Sequence, residues 1–430
     1  MSKPLFIISS PFETYSGYGA RSRDLIKSII ETDKYDVKLL SQRWGECVWN
    51  FCNDHPEWSF LLNYKLNTPQ LPKQPEIWMQ ITVPNEFTPV GKYNIGVTAG
   101  IETTVCSAEF IEGVNRMNVT FVSSEHAKKV FENSKFEKRN KQTNQVEGTI
   151  TLEKPVEVVF EGADLNIYKH LETLPQNNIT TELDSIKESF AYLSVGHWMQ
   201  GQIGEDRKNI GLLVKAFFET FKNKKDKPAL ILKTSGAISS YMDRDNILNR
   251  IQQIKDTVDS KNLPNVYLLH GDFTDEEMNQ IYNHPKVKAM VSLTKGEGFG
   301  RPLLEFSLSK KPIIVSKWSG HMDFLNAEFV KAVNGELKNV HPSSANQFLL
   351  QESQWFNPYY NEVFDSLRDV FENYKNYTEG AKRQAFKSKN EFSFDKMKEK
   401  VDSLLTQYLP EFPKAVEFKL PTLTKIEQNG

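Results

Sequence analysis

Short apolar runs and stretches of helical periodicity alternate along most of the chain. LFIISS is followed by apolar positions at helical spacing from Ala20 to Glu31, and then by YDVKLLS, IWMQITV, NIGVTA and VTFVSS. Short apolar runs bounded by turn residues predict buried strands, and their alternation with helical segments predicts a βα rhythm around a parallel sheet. The polar stretch 132–154, with FEKRNKQTNQVEGT, interrupts the rhythm and predicts an insertion or long surface loop. The rhythm resumes at VEVVFEGADLNIY and breaks again over the polar run 171–183. It restarts with AYLSVGHW, a helix over Ile210–Phe221, PALILKTSG, another helix, NVYLLHG, a helix from Asp275, KAMVSL and KPIIVS. NEFSFDKMKEKVDSLLTQYL has helical apolar spacing, and the tail from Pro413 predicts extended chain.

At 430 residues the chain exceeds one ordinary core, so two domains of roughly 150 to 200 residues are expected. The break in the pattern puts the boundary near 185, giving units 1–185 and 186–390, with 391–430 as a terminal helix and tail. Lys+Arg 53 against Asp+Glu 55 leaves a formal charge of −2, which supplies no global field for nucleic acid or an anionic membrane. Cys47, Cys52 and Cys106 lack the paired spacing of a zinc site or disulfide framework, so a reducing, cytosolic setting is the default. MSKPLFIISS is a charged start running into a strand, unlike a signal peptide, and no apolar run is long enough to span a bilayer. Contact with a membrane surface stays open.

The stretch KGEGFGRPLLEFSLSKKPIIVS follows the apolar run 289–293 directly. It reads as a strand, a glycine-rich turn and a helix with Pro302 in its first turn. In open α/β sheets ligands bind outside the carboxyl ends of the strands, where helix N-termini offer free N–H groups. Glu297 lies in the turn and Glu305 inside the helix. A carboxylate accepts hydrogen bonds from two vicinal hydroxyls, so two of them here suit two polyol rings, such as a sugar and a ribose. Asp243-Arg244-Asp245 spells a metal-binding D-x-D, but SSYM precedes it and a helical pattern follows, so a charged helix start is the better reading.

GEGFGRPLLE, with Glu297 and Glu305 as an E-x7-E pair, closely resembles the retaining glycosyltransferases of the GT-B fold, family 4. The resemblance implies an α/β fold of two Rossmann-like domains facing each other across a cleft, with a C-terminal helix crossing back to the first. It implies that Glu297 meets the donor sugar and Glu305 the ribose, with Gly298, Phe299 and Gly300 beside them. GEDRKNIGLLVKAF is similar to the family's basic segment, which sets Lys208 and Arg207 against the donor diphosphate; such groups offset the charge gained by the leaving nucleotide. SGYGARSRDL resembles the first glycine loop, with Gly17 and Gly19 as close-approach positions, and LLHGDFTDEEMNQIY, with Gly271, resembles the segment beside the nucleobase. WSGHMDFL resembles the stretch after the next strand, without an assigned role for His321 or Asp323.

Two departures stand out. The family's Gly-Arg is Gly196–His197 here, so His197 is either a donor contact or a core histidine. Where many relatives carry a histidine near the donor sugar, this chain reads NIGVTAGIETT. Glu102 is the nearest polar residue, open to two roles: binding a sugar or acceptor hydroxyl, or capping the next helix with Thr103 and Thr104. His126, at a helix start, is expected to face solvent.

The resemblance implies a nucleotide-diphosphate sugar as donor, no metal, and retention of configuration. The expected acceptor is a glycan, lipid-linked sugar or other small hydroxyl compound. HAKKVFENSKFEKRNK, with Lys138, Arg139 and Lys141 among its basic residues, is the candidate patch for an anionic acceptor, and DNA carrying a hydroxylated base is the second reading. A GT-B isomerase or hydrolase and a non-catalytic nucleotide-sugar binder share the same donor features.

Overall fold

The computed structural model describes residues 3–412 apart from 72, 141 and 237–239; the predicted tail from Pro413 and Lys141 lie outside the described residues. The first lobe is built on β1 (Leu5–Ser10), β2 (Asp36–Ser41), β3 (Ile77–Ile81), β4 (Tyr93–Thr98) and β5 (Val119–Val122). A hairpin, β6 (Phe136–Arg139) and β7 (Val146–Ile150), precedes its last strand, β8 (Val156–Val158). The strands are parallel in the order β2-β1-β3-β4-β5-β8. Every residue of β1 and β3 is buried, because helices cover both faces of the sheet and a polar position would find no water on either side.

The second lobe holds β9 (Ala191–Val195), β10 (Ala229–Lys233), β11 (Val266–Leu269), β12 (Val287–Ser292), β13 (Ile313–Ser316) and β14 (Lys331–Val333). Their order is β11-β10-β9-β12-β13-β14, again all parallel. The strand order reverses between β9 and β12, which opens a crevice at their carboxyl ends. An antiparallel hairpin, β15 (Gly335–Asn339) and β16 (Gln354–Pro358), follows β14.

The boundary between cores falls upstream of the expected 185. Ala163, Tyr168, Leu183 and Ile186 all bury their side chains in the second lobe, alongside Leu193, Ile281 and Met290. The helix Asn178–Asp184 is polar on its outer face, which hides its membership from the sequence pattern.

The terminal helix Phe394–Tyr408 does cross back. Phe394, Met397, Val401, Leu404 and Leu405 join the core of the first lobe with Leu25, Ile26 and Ile29, each contributing roughly 1.5–3 kcal/mol by burial. Its start runs beside the other interlobe strand: Ala163 N donates to Phe392 O at 3.0 Å, and Phe394 N to Ala163 O at 2.8 Å. A Cβ on Gly162 would lie 2.6 Å from Ser393 O, so only glycine allows the two crossings to touch. The two crossings are therefore tied to each other by backbone hydrogen bonds.

The interruption at 132–154 is the β6–β7 hairpin rather than a loop. It joins the end of the helix Glu125–Asn133 to the start of β8, so it stands at the edge of the sheet opposite the cleft. Among the described residues no helix is long and apolar enough to cross a membrane.

Candidate active site

The second-lobe site is made by two loops that leave β9 and β12 and bind each other. Lys295 N donates to Arg207 O at 2.8 Å, and Asn209 Nδ2 to Leu293 O at 3.2 Å. Asp206 holds the turn by accepting from Asn209 N at 2.8 Å. Glu297 is thereby presented to the basic segment: Lys208 Nζ donates to Oε1 at 2.6 Å and Arg207 Nη1 to Oε2 at 3.1 Å. Burial pushes the Glu297 carboxyl up, but the two cations overcome it and hold the carboxyl at about 2. Burial likewise lowers Lys208, against the pull of Glu297. Lys233, at the end of β10, is also lowered by burial, its ammonium 5.4 Å from the Phe273 ring centre.

The first lobe closes directly on this loop. Glu102 lies 3.5 Å from Arg207 Nη2, so a single guanidinium faces carboxylates of both lobes. Ser123 Oγ donates to Gly298 O at 3.0 Å, and Glu125 N to Asp323 Oδ2 at 2.7 Å. Cβ atoms on Gly296 and Gly298 would run into the carbonyl oxygens of Glu102 and Ala99. The glycines of the turn thus serve contact between the lobes. Gly300, at φ +98°, takes the left-handed conformation that starts the helix Arg301–Ser307.

Glu305 sits deeper, on that helix. Arg301 Nε donates to Oε1 at 2.9 Å and the Tyr282 hydroxyl to Oε2 at 3.2 Å. Burial raises this carboxyl to about 7 in spite of Arg301. The other side of the Arg301 guanidinium pairs with Asp24, on the first-lobe helix Gly17–Ile30.

The β15–β16 hairpin braces both lobes at this end of the cleft. Phe356 N donates to Lys295 O, Thr104 N to Gln354 O and Gln354 N to Thr104 Oγ1, each at 2.9 Å. The Lys295 ammonium lies 4.8 Å from the Trp355 ring centre, and burial lowers it to about 8.

The structure therefore brings Glu297, Lys208, Arg207 and Glu102 together and places Glu305 within the same cleft. It separates others. Phe299 is buried against Phe324, with ring centres 4.9 Å apart, and packs in the core instead of facing a ligand. Gly19 is a packing position, where a Cβ would lie 2.8 Å from Thr14 Oγ1, whereas nothing stands within 4 Å of one on Gly17. His197 is exposed, with Nδ1 3.3 Å from Ser235 Oγ, so it is not a core histidine. Gly271 follows the edge strand β11 at φ +134°. Glu102 does not cap the next helix; Ser107 does. His126 does not face solvent but meets Trp318 edge-on at 4.7 Å, and burial lowers it to about 4. Asp243 is at a helix start capped by Ser240 and accepts from Gly236 N and His270 Nε2. Lys138 and Arg139 lie on the distal hairpin, Arg139 donating to Glu137.

Asp24, Arg301, Tyr282 and Lys233 escaped the sequence reading. The i,i+4 spacing of Arg301 and Glu305 was a usable signal. Asp24 had none, because its partner lies in the other lobe.

No protein-family model matches the chain, and no match is found among curated proteins. Solved structures do match. A glycosyltransferase from Rickettsia africae superposes with a TM-score of 0.63 at 12% identity, over 95% of this chain and 99% of that one. Sucrose-phosphate synthase from Thermosynechococcus elongatus gives 0.60 at 11%, over 94% and 98%. Anabaena HepE, solved in complex with UDP and glucose, gives 0.57 at 12%, over 94% and 100%. The likeness extends over both lobes and establishes the fold, the α/β GT-B arrangement of two facing Rossmann-like domains.

Proposed function

We propose that the protein is a glycosyltransferase that moves a sugar from a nucleotide-diphosphate donor to a hydroxyl acceptor with retention of configuration. The observation that carries this reading is the cluster of Glu297, Lys208 and Arg207 at the carboxyl ends of the second-lobe strands, facing Glu102 of the first. The fold shared with sugar-transferring enzymes supports it. The donor diphosphate competes with Glu297 for Lys208, and Lys208, Arg207 and Lys233 stabilise the charge that grows on it as the glycosidic bond breaks. In this reading that charge is met without a divalent metal, and undiminished activity in EDTA tests the point.

A carboxyl held at about 2 is a weak base and a poor nucleophile, so Glu297 orients the sugar instead of attacking it. The bond from the anomeric carbon to the phosphate oxygen breaks, the acceptor oxygen bonds on the same face, and the departing diphosphate takes the acceptor proton. An inverted product by NMR would refute this.

The acceptor is a hydroxyl of a sugar or similar compact compound. The basic hairpin with Lys138 and Arg139 stands away from the cleft, which counts against an anionic polymer as the acceptor. Incubation with a panel of nucleotide sugars, with and without oligosaccharide, small hydroxyl and hydroxymethylated DNA acceptors, decides the matter. Donor consumption equal with and without acceptor would favour a hydrolase or isomerase, and transfer to DNA alone would overturn the acceptor reading.

A further inference from the structure

We propose that Arg301 is a positioning residue for Glu305 that also reports whether the lobes are closed, because one guanidinium holds Glu305 of the second lobe and Asp24 of the first. This deepens the reading of Glu305 as the ribose-binding carboxylate and rests on it.

Arg301 spends Nε on Glu305 and Nη1 on Asp24. Its planar fork fixes the relative directions of those two bonds, so both form only when the helix Gly17–Ile30 is seated against the helix Arg301–Ser307. Asp24 and Glu305 are both closely buried, with side chains 8% exposed. A buried carboxylate left with one partner missing is costly, so the closed lobes hold the guanidinium in one orientation between Asp24 and Glu305, and parting them releases that restraint on the bond to Glu305. Tyr282 holds the second oxygen of Glu305, which leaves the carboxylate lone pairs beyond those two bonds for ribose hydroxyls. The arrangement repeats at the other glutamate, where Arg207 faces Glu297 and the first-lobe Glu102. Each donor-site glutamate thus shares its arginine with a carboxylate of the opposite lobe.

Glu305 is faced by Arg301 on its own helix and by Tyr282 and Asp275 on the helix Asp275–Asn283. Tyr168 approaches from the interlobe segment, and Glu161 and Asp24 act on Arg301. Burial and Asp275 both favour the protonated acid, so Arg301 is the cation that works to keep Glu305 ionised near neutral pH.

Calorimetric titration with UDP, ADP and GDP in turn, at pH 7 and pH 9, tests this in the full chain. Arg301→Gln should weaken binding of the preferred nucleotide about tenfold or more at pH 7 and by less at pH 9, because removing the cation raises Glu305 further and the ionised fraction grows with pH. Arg301→Lys, which keeps the charge but not the fork that spans both carboxylates, should fall between wild type and Arg301→Gln at pH 7. Asp24→Asn should weaken binding about three- to tenfold at both pH values and add little to Arg301→Gln. Wild-type binding in Arg301→Gln and Asp24→Asn, or a loss in Arg301→Gln that is equal at both pH values, would overturn the proposal while leaving Glu305 in place. Unchanged binding in Glu305→Ala, or no binding of any of the three nucleotides by wild type, would instead overturn the underlying reading of the site.

Discussion

The turn that carries Glu297 and the helix that carries Glu305 are neighbours in sequence, and both hide a carboxylate from solvent, yet they drive it in opposite directions. Glu297 receives a lysine and an arginine and is held at about 2; Glu305 receives one arginine, shared with Asp24, and is raised to about 7. The difference lies in the neighbours: two cations offset burial at Glu297, whereas at Glu305 a single arginine works against burial and Asp275 together. A carboxylate that must stay charged beside a growing negative charge needs two counterions. One that only accepts hydroxyls can sit near its titration point and stay sensitive to its surroundings.

Breaking the stronger of the two should have the largest effect. Glu297→Gln leaves Lys208 and Arg207 buried beside a neutral side chain, and turnover should fall about 100- to 1,000-fold with a smaller change in nucleotide affinity. Steady-state kinetics check this, and turnover within threefold of wild type would remove Glu297 from the chemistry. Glu305→Ala should act the other way round, weakening nucleotide binding about 10- to 100-fold through the loss of charge-assisted hydrogen bonds. Calorimetry with the preferred nucleoside diphosphate reads it.

Proton linkage sharpens the contrast. The Glu305 carboxyl is raised above its unfolded value, so its contribution to stability is full below about pH 4.5 and is lost as pH rises through about 7. Glu297 is depressed, so its contribution is present above the ordinary carboxylate range and is lost as pH falls through about 2. Urea midpoints between pH 4 and 8 should therefore shift upward at high pH in Glu305→Gln relative to wild type, and show no such shift in Glu297→Gln. Equal pH profiles for the two variants would contradict the assignment.

The smallest effects should come from the glycines. Gly298→Ala places a methyl group against the Ala99 carbonyl and should impair closure, seen as a larger radius of gyration in solution scattering with little loss of thermal stability. Gly17→Ala, with nothing within 4 Å, should leave the scattering unchanged. A compact Gly298→Ala protein would mean that the loop does not set the distance between lobes.

The chain's periodicity was enough for most of the scaffold. Strands such as Leu5–Ser10 and Ile77–Ile81 and the helix Ile210–Phe221 were legible because each is decided by its own apolar pattern. The β15–β16 hairpin was not, since GELKN is largely exposed and its partner strand is separated from it by a polar loop. The segment 163–185 was assigned to the first unit although Ala163, Tyr168 and Leu183 pack in the second-lobe core, because its few apolar residues have no period.

The site divides in the same way. Glu297 and Glu305 stand within one strand–turn–helix unit whose spacing converts directly into proximity, whereas Arg207 and Lys208, 90 and 89 positions from Glu297, were grouped with them only through the family resemblance. The sequence also determined that two glycine-rich turns would permit close backbone approach. Which backbone approaches was decided only by the tertiary structure: Gly296 and Gly298 touch the other lobe, and Phe299 turns into the core. The pairing of Asp24 with Arg301 and of Glu102 with Arg207 joins residues 277 and 105 positions apart. No local pattern encodes such pairs, because burial and charge neutralisation act on atoms brought together by two separately folded sheets meeting at a hinge.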